Sequence, residues 1–241
     1  MLVAGTFSTI AYFKIHYSDE TTAFRTAVQK VVVRTDDGRV TVRTGAAGAE
    51  GAVVTSRGTS SFRTARHTES VTDGVLTVQG HCEGGFFLAS SCSMDFELTV
   101  AAGTVVDART SVGEIRVTGT GAAVTAHSST GDLRVSRVGS PVRLSTDVGD
   151  VIADQLPGGD VSGESDTGDI RLDFSSAPDR LSAITEVGDV RVAVPDDGTS
   201  YLVSSDLDLG DTQVDVPVDP GSPHTARLRT NTGDIRMGLT R

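Results

Sequence analysis

Seven acids in this chain each stand directly behind a glycine. Glu114, Asp132, Asp150, Asp169, Asp189, Asp211 and Asp234 follow Gly113, Gly131, Gly149, Gly168, Gly188, Gly210 and Gly233. Carboxylates in a regular row suit two chemistries: holding a hard cation, or acting in pairs on a glycosidic bond. Two residues beyond the acid come Arg116, Arg134, Arg171, Arg191 and Arg236, whereas Ile152 and Gln213 take that place in the other two copies. A guanidinium repels calcium and is itself a good partner for a carboxylate. A calcium-holding repeat writes G-G-x-G-x-D in every unit, which is absent here. The best local cation candidate is DLDLGD, residues 206–211. The acids also follow the repeat, whereas a catalytic cluster should break it. The chain has no Trp and only 5% aromatics, so stacking platforms for sugar rings are scarce. The expectation is a surface acid row with an arginine row beside it, and no catalytic residue, metal site or cofactor.

Other reactive groups give weaker signals. Cys82 and Cys92 stand ten apart with Gly84 and Gly85 between them. One reading is a disulfide that clips a loop between strands, worth roughly 2–3 kcal/mol in chain entropy and implying an oxidising compartment. The other is two separate buried thiols in a cytosolic protein. His16, His67, His81, His127 and His224 fall at no ligand spacing. No G-x-S-x-G or Walker sequence occurs.

These residues need an element that repeats with them. The copies read SVGEIRV, STGDLRV, DVGDVIA, DTGDIRL, EVGDVRV, DLGDTQV and NTGDIRM, at spacings of 18, 18, 19, 20, 22 and 23 residues. A period near 20 with one constant turn marks a stacked repeat. Alternation in each copy turns Ile170 and Leu172 inward and Asp169 and Arg171 outward. A second short strand precedes each glycine, as in PVRLSTD or TARLRTN. The predicted fold is all-β: a single-stranded β-solenoid of about seven regular coils. Glycine is expected at the corner because the turn requires positive φ. The lengthening period is read as loop insertion. TDDGRVTV and TDGVLTV echo the copies without the acid and are assigned to an irregular cap, the Asp37-Gly38 pair marking either a hairpin or a coil turn. This divides the chain into a lead (1–24), an irregular β region (25–94) and regular coils (95–241). The last strand, DIRMGLTR, is expected at the open edge, either pairing with another chain or shielded by Arg236 and Arg241.

Composition narrows the partners. The net charge of −11 argues against nucleic acid and against anionic lipid. The lead MLVAGTFSTIAYF is too short to span a membrane by itself and lacks a basic n-region. It reads either as the tail of an N-terminal membrane anchor or as a first strand or frayed end.

TDDGRVTV, DGVLTVQGHC, CSMDFELTVAAGT and the TGDIRV-type coils, in that order over residues 28–240, resemble the putative-adhesin family of bacteria. The resemblance implies a β-solenoid of unknown function, often near the cell envelope behind a membrane anchor, and brings no catalytic residues. The functional expectation is a non-enzymatic, adhesin-like scaffold or interaction module, extracytoplasmic, whose partner is a protein or cell-surface component. Two alternatives stand beside it: a β-helix carbohydrate-active enzyme, and a cytosolic assembly scaffold.

Overall fold

A computed structural model describes residues 15–45, 51–84 and 91–240. Most of the apolar lead therefore lies outside the described residues, as does Arg241. The described chain is all strand and turn. It begins with β1 (His16–Phe24), then β2 (Lys30–Asp37) and β3 (Val40–Thr44), β4 (Ala52–Ser61) and β5 (Thr64–Thr72), and β6 (Val75–Glu83) and β7 (Ser91–Val100). Next come β8 (Val105–Val112) and β9 (Ile115–Thr118), β10 (Val124–Thr130) and β11 (Leu133–Ser136), and β12 (Val142–Val148) and β13 (Val151–Leu156). They are followed by β14 (Gly159–Thr167) and β15 (Ile170–Phe174), and β16 (Pro178–Val187) and β17 (Val190–Val194). The last two pairs are β18 (Leu202–Leu209) and β19 (Thr212–Asp215), and β20 (Thr225–Thr232) and β21 (Ile235–Leu239).

One strand of each coil enters an eleven-stranded sheet and the other a ten-stranded sheet. The reason is the pleat. A strand that alternates aliphatic and polar residues can bury one face only, so the two sheets close on a shared aliphatic interior. Ile170 and Leu172 are fully buried while Asp169 and Arg171 face out, and Val190, Val192, Leu133 and Val135 repeat the split. One strip of Val, Ile, Leu and Ala runs the length of the stack, with Met94 and Phe96 filling its N-terminal end.

The coils do not stack in chain order. The ten-stranded sheet runs β18-β20-β16-β14-β12-β10-β8-β2-β6-β5, and the eleven-stranded sheet runs β1-β4-β7-β3-β9-β11-β13-β15-β17-β21-β19. After β17 the chain steps outward to build β18–β19, then returns to place β20–β21 in the gap. β21 pairs with both β17 and β19. The expectation for DIRMGLTR is therefore overturned: that strand is internal, and the open edge belongs to β18 and β19. The 22- and 23-residue spacings include the lengths needed to pass over a coil position and come back.

The N-terminal end is plaited in the same manner. β2 pairs in parallel with both β6 and β8, and β3 with both β7 and β9. The Asp37-Gly38 turn is thus a coil corner between the two sheets, not a hairpin. Regular stacking takes in residues 30–44, so it starts well before the boundary expected at residue 95. β4, β5 and β1 then add in antiparallel fashion and close this end. Antiparallel strands cap the stack without extending its repeat, as a solenoid end requires.

Candidate interaction surface

The corner glycines form the spine of the surface. Gly38, Gly113, Gly131, Gly149, Gly168, Gly188, Gly210 and Gly233 have φ between 139° and 151°. This region is essentially closed to residues with a side chain. Stacking adds a second constraint: a Cβ on Gly131 would lie 2.1 Å from the Gly113 carbonyl oxygen, and one on Gly149 would lie 2.4 Å from that of Gly131.

Three residues before the corner, a buried hydroxyl points at the same carbonyls. Ser128 donates to Gly113 O at 3.0 Å, Thr146 to Gly131 O at 3.0 Å, Ser165 to Gly149 O at 2.9 Å and Thr185 to Gly168 O at 3.0 Å. Thr230 reaches past one corner in sequence, Gly210, to Gly188 O at 2.9 Å, because its coil is the one inserted. The outermost coil has Leu207 at this place. Sequence reasoning missed this ladder although its signal, S/T-x-x-G, is present in six of the seven copies.

One residue after the corner, the acids form a ladder of their own. Asp132 Oδ1 accepts the Asp150 N–H at 2.9 Å, Asp150 Oδ1 that of Asp169 at 2.9 Å, and Asp169 Oδ1 that of Asp189 at 2.9 Å. Asp189 Oδ1 accepts from Asp234 at 2.8 Å, and Asp234 Oδ1 from Asp211 at 3.1 Å. Five of the seven acids therefore each secure a neighbouring coil's backbone. These bonds offset the mutual repulsion of the row alongside the arginines. Asp150, whose coil carries Ile152, is held by two such amide bonds, one given and one received.

Parallel register keeps the arginines in a row: Arg116 beside Arg134, then Ile152, Arg171, Arg191, Arg236 and Gln213. Arg134 bridges Glu114 at 2.6 Å and Asp132 at 2.9 Å, and Arg116 joins Glu114 at 2.7 Å. Arg191 pairs with Asp189 and with Asp169, and Arg236 with Asp234 at 2.7 Å. Arg171 departs from the expected pairing and turns to Asp173 at 3.3 Å. Burial alone would push the Glu114 carboxyl up, but hydrogen bonds from Arg134 and Arg116 outweigh it and hold the group below its ordinary value. The same contact to Glu114 raises Arg134.

A carboxyl pair not foreseen from the sequence lies where the repeat slips. The register shifts between Ala153 and Leu156, and Gln155 takes φ 53°. Asp154 there shares a hydrogen bond with Asp173. Burial, then that bond and the Asp173 charge, push Asp154 up, while Arg171 pulls it down. Hydrogen-bonded carboxyls stand closer than the roughly 5 Å or more that a glycosidase pair requires.

The remaining candidates are dispersed. Asp206 pairs with Arg229 at 3.6 Å, and the Asp211 amide is committed to Asp234, so DLDLGD does not converge on a point. Among the described residues no three His, Cys, Asp or Glu side chains gather as metal ligands. His67 contacts Ser56, His81 contacts Glu83, His127 contacts Ser145 and His224 contacts the Pro178 carbonyl. Cys82 and Cys92 form a disulfide joining β6 to β7. Among the described residues no helix is long and apolar enough to cross a membrane.

A family model described as Toastrack DUF4097 matches residues 17–238. No curated protein matches the chain. Solved structures similar to it include a putative cell adhesion protein from Clostridium sporogenes, at 9% identity and TM-score 0.39, covering 94% of this chain and 100% of that one. A putative adhesin from Bacteroides fragilis aligns at 13% identity and TM-score 0.41, covering 91% of this chain and 97% of that one.

Proposed function

Because the chain belongs to the Toastrack DUF4097 family, we propose that it is a non-enzymatic, adhesin-like interaction module of the bacterial cell envelope. The observation that carries this reading is the parallel register at the coil corners, kept from Gly113 to Gly233 despite the slip at Gln155. Nine coils hold like side chains in straight rows about 4.8 Å apart. Buried hydroxyl bonds and carboxylate-to-amide bonds fasten each corner to the next, so the rows are presented on a stiff frame. A rigid periodic surface recognises an extended partner with little ordering cost on its own side. The Cys82–Cys92 bridge supports an extracytoplasmic location, since such bonds persist in oxidising compartments.

Self-association through the open end is the less favoured partner mode. β18 and β19 bring Asp206, Asp208, Asp211 and Asp215 to that edge. Two such edges would repel, which is a common protection of exposed strands.

Retention of the purified chain on cell-envelope fractions tests the proposal, with glycan turnover measured in parallel. Retention without turnover is expected. Hydrolysis of a glycan that is abolished by replacing one carboxylate, such as Asp154→Asn, would favour the enzyme alternative. Free thiols at Cys82 and Cys92 in protein recovered from cells would favour the cytosolic one.

A further inference from the structure

One row on the outer face of the ten-stranded sheet is not explained by ion pairing. In register across β6, β2, β8 and β10 it reads Gln79, Arg34, Arg109 and His127. Arg34 and Arg109 are therefore cross-strand neighbours, and both are exposed. Like charges placed directly opposite destabilise a sheet. Arg109 leans on Asp107 at 3.2 Å. The Arg34 side chain has no ion pair or hydrogen bond among the described residues, although the chain carries a net charge of −11 and acids are plentiful.

The row lies in a depression of about 490 Å³. Ser111 and Ser129 add hydroxyls, and His81 and Asp36 complete the polar rim. The acids around it have partners of their own. Asp107 is held by Arg109, and Glu83 is held by Arg66 at 2.9 Å and His81 at 3.1 Å. Asp36 Oδ2 faces the Cys82 N–H at 3.5 Å. His127 Nδ1 meets Ser145 Oγ at 3.0 Å, which fixes the ring beside Arg109.

We infer that this depression binds an oxyanion group, a carboxylate, sulfate or phosphate, with Arg34 as the anchoring cation and Arg109 as the second. A guanidinium donates two parallel N–H bonds to such a group, and a neighbouring cation strengthens the hold. The bound anion also relieves the Arg34–Arg109 repulsion. The inference names the ligand chemistry of the interaction module proposed above and rests on that reading.

The full oxidised chain is titrated calorimetrically with sodium sulfate, inorganic phosphate and a galacturonic acid oligomer at constant ionic strength. The expected result is binding of at least one probe, weakened about tenfold or more in Arg34→Ala, the loss of one charge-assisted contact. Arg143→Ala, elsewhere on the same sheet, should bind as the unmodified chain does. Arg34→Ala should keep or slightly raise the parent melting temperature, because Arg34 has no internal ion pair to lose and its repulsion with Arg109 is removed. Tighter binding of the oligomer identifies an acidic glycan as the source, and preference for the inorganic ions a small free oxyanion. Failure of all three probes, or equal affinity in Arg34→Ala, overturns the site. Envelope retention measured on the same proteins separates the two claims. Retention without oxyanion binding removes this site and leaves the module. Oxyanion binding without retention supports the site and removes the module.

Discussion

Thr146 donates its hydroxyl to the carbonyl of Gly131, one coil away, across 3.0 Å. The hydroxyl is buried, and its partner is the corner whose φ of 148° only glycine tolerates. Interior and corner of adjacent coils are thereby tied at one point. Thr146→Val keeps the shape and removes the donor. We expect a loss of about 1–2 kcal/mol in urea unfolding, with Ser128→Ala close to it. An unchanged midpoint would mean the ladder is geometric only.

Gly149→Ala should be much worse. It meets φ 145° and a carbonyl oxygen 2.4 Å from the new Cβ. Together these should cost about 3 kcal/mol or more. Gly103→Ala supplies the contrast: its φ is 85°, and nothing lies within 4 Å of the added atom. That change should cost only about 1–2 kcal/mol. Thermal melts of the pair separate strain from collision.

Glu114 governs part of the acid limb of stability. Its folded pKa lies below its ordinary value. It therefore contributes stability that is present above the unfolded pKa and is lost as pH falls through the folded one. Glu114→Gln should lower stability at pH 7 by about 1 kcal/mol, allowing for solvent screening of the two arginine contacts. The difference between the two proteins should shrink as the solution is acidified, read from unfolding curves at several pH values.

Tyr201 should govern part of the alkaline limb. Its ring is fully buried, its hydroxyl has no partner among the described residues, and burial with the Asp197 charge pushes its pKa up to about 12. The unfolded chain ionises near 10, so stability should fall as pH rises from about 10 towards 12. Tyr201→Phe should be neutral or stabilising at pH 7, since it removes a buried unpaired hydroxyl. It should also flatten the alkaline loss, which spectrophotometric titration against unfolding can follow.

Reduction of the Cys82–Cys92 bond should weaken the N-terminal end first. Freeing so short a loop should cost about 2–3 kcal/mol. Hydrogen exchange should quicken in β6 and β7 before it quickens in β12 and β13.

Some of this was legible in the residues themselves. Ile170 and Leu172 alternate with Asp169 and Arg171, so the buried and exposed faces followed from the pleat alone. The hydroxyl ladder was equally visible three positions before each glycine, yet Thr and Ser in a strand read as ordinary surface residues until their carbonyl partner is seen. The Asp154–Asp173 pair was not legible, because it depends on a register slip at Gln155. Nor was the Arg34–Arg109 row, since those residues stand far apart in the chain and meet only through the plaiting of the N-terminal coils.

The amino-acid order alone determined the coil: a glycine corner, two alternating strands and a face of charge, each set by local sterics and the burial of aliphatic groups. Which coil lies beside which was decided only in three dimensions. Near-identical repeats offer near-equal backbone pairing to any neighbour. The choice therefore falls to differences a repeat motif does not contain. The lengths of the segments around residues 195–201 and 216–224 let the chain step out and return. The missing hydroxyl at Leu207 and the acids of β18 and β19 suit the coil at the open end, and β20–β21 fills the place between.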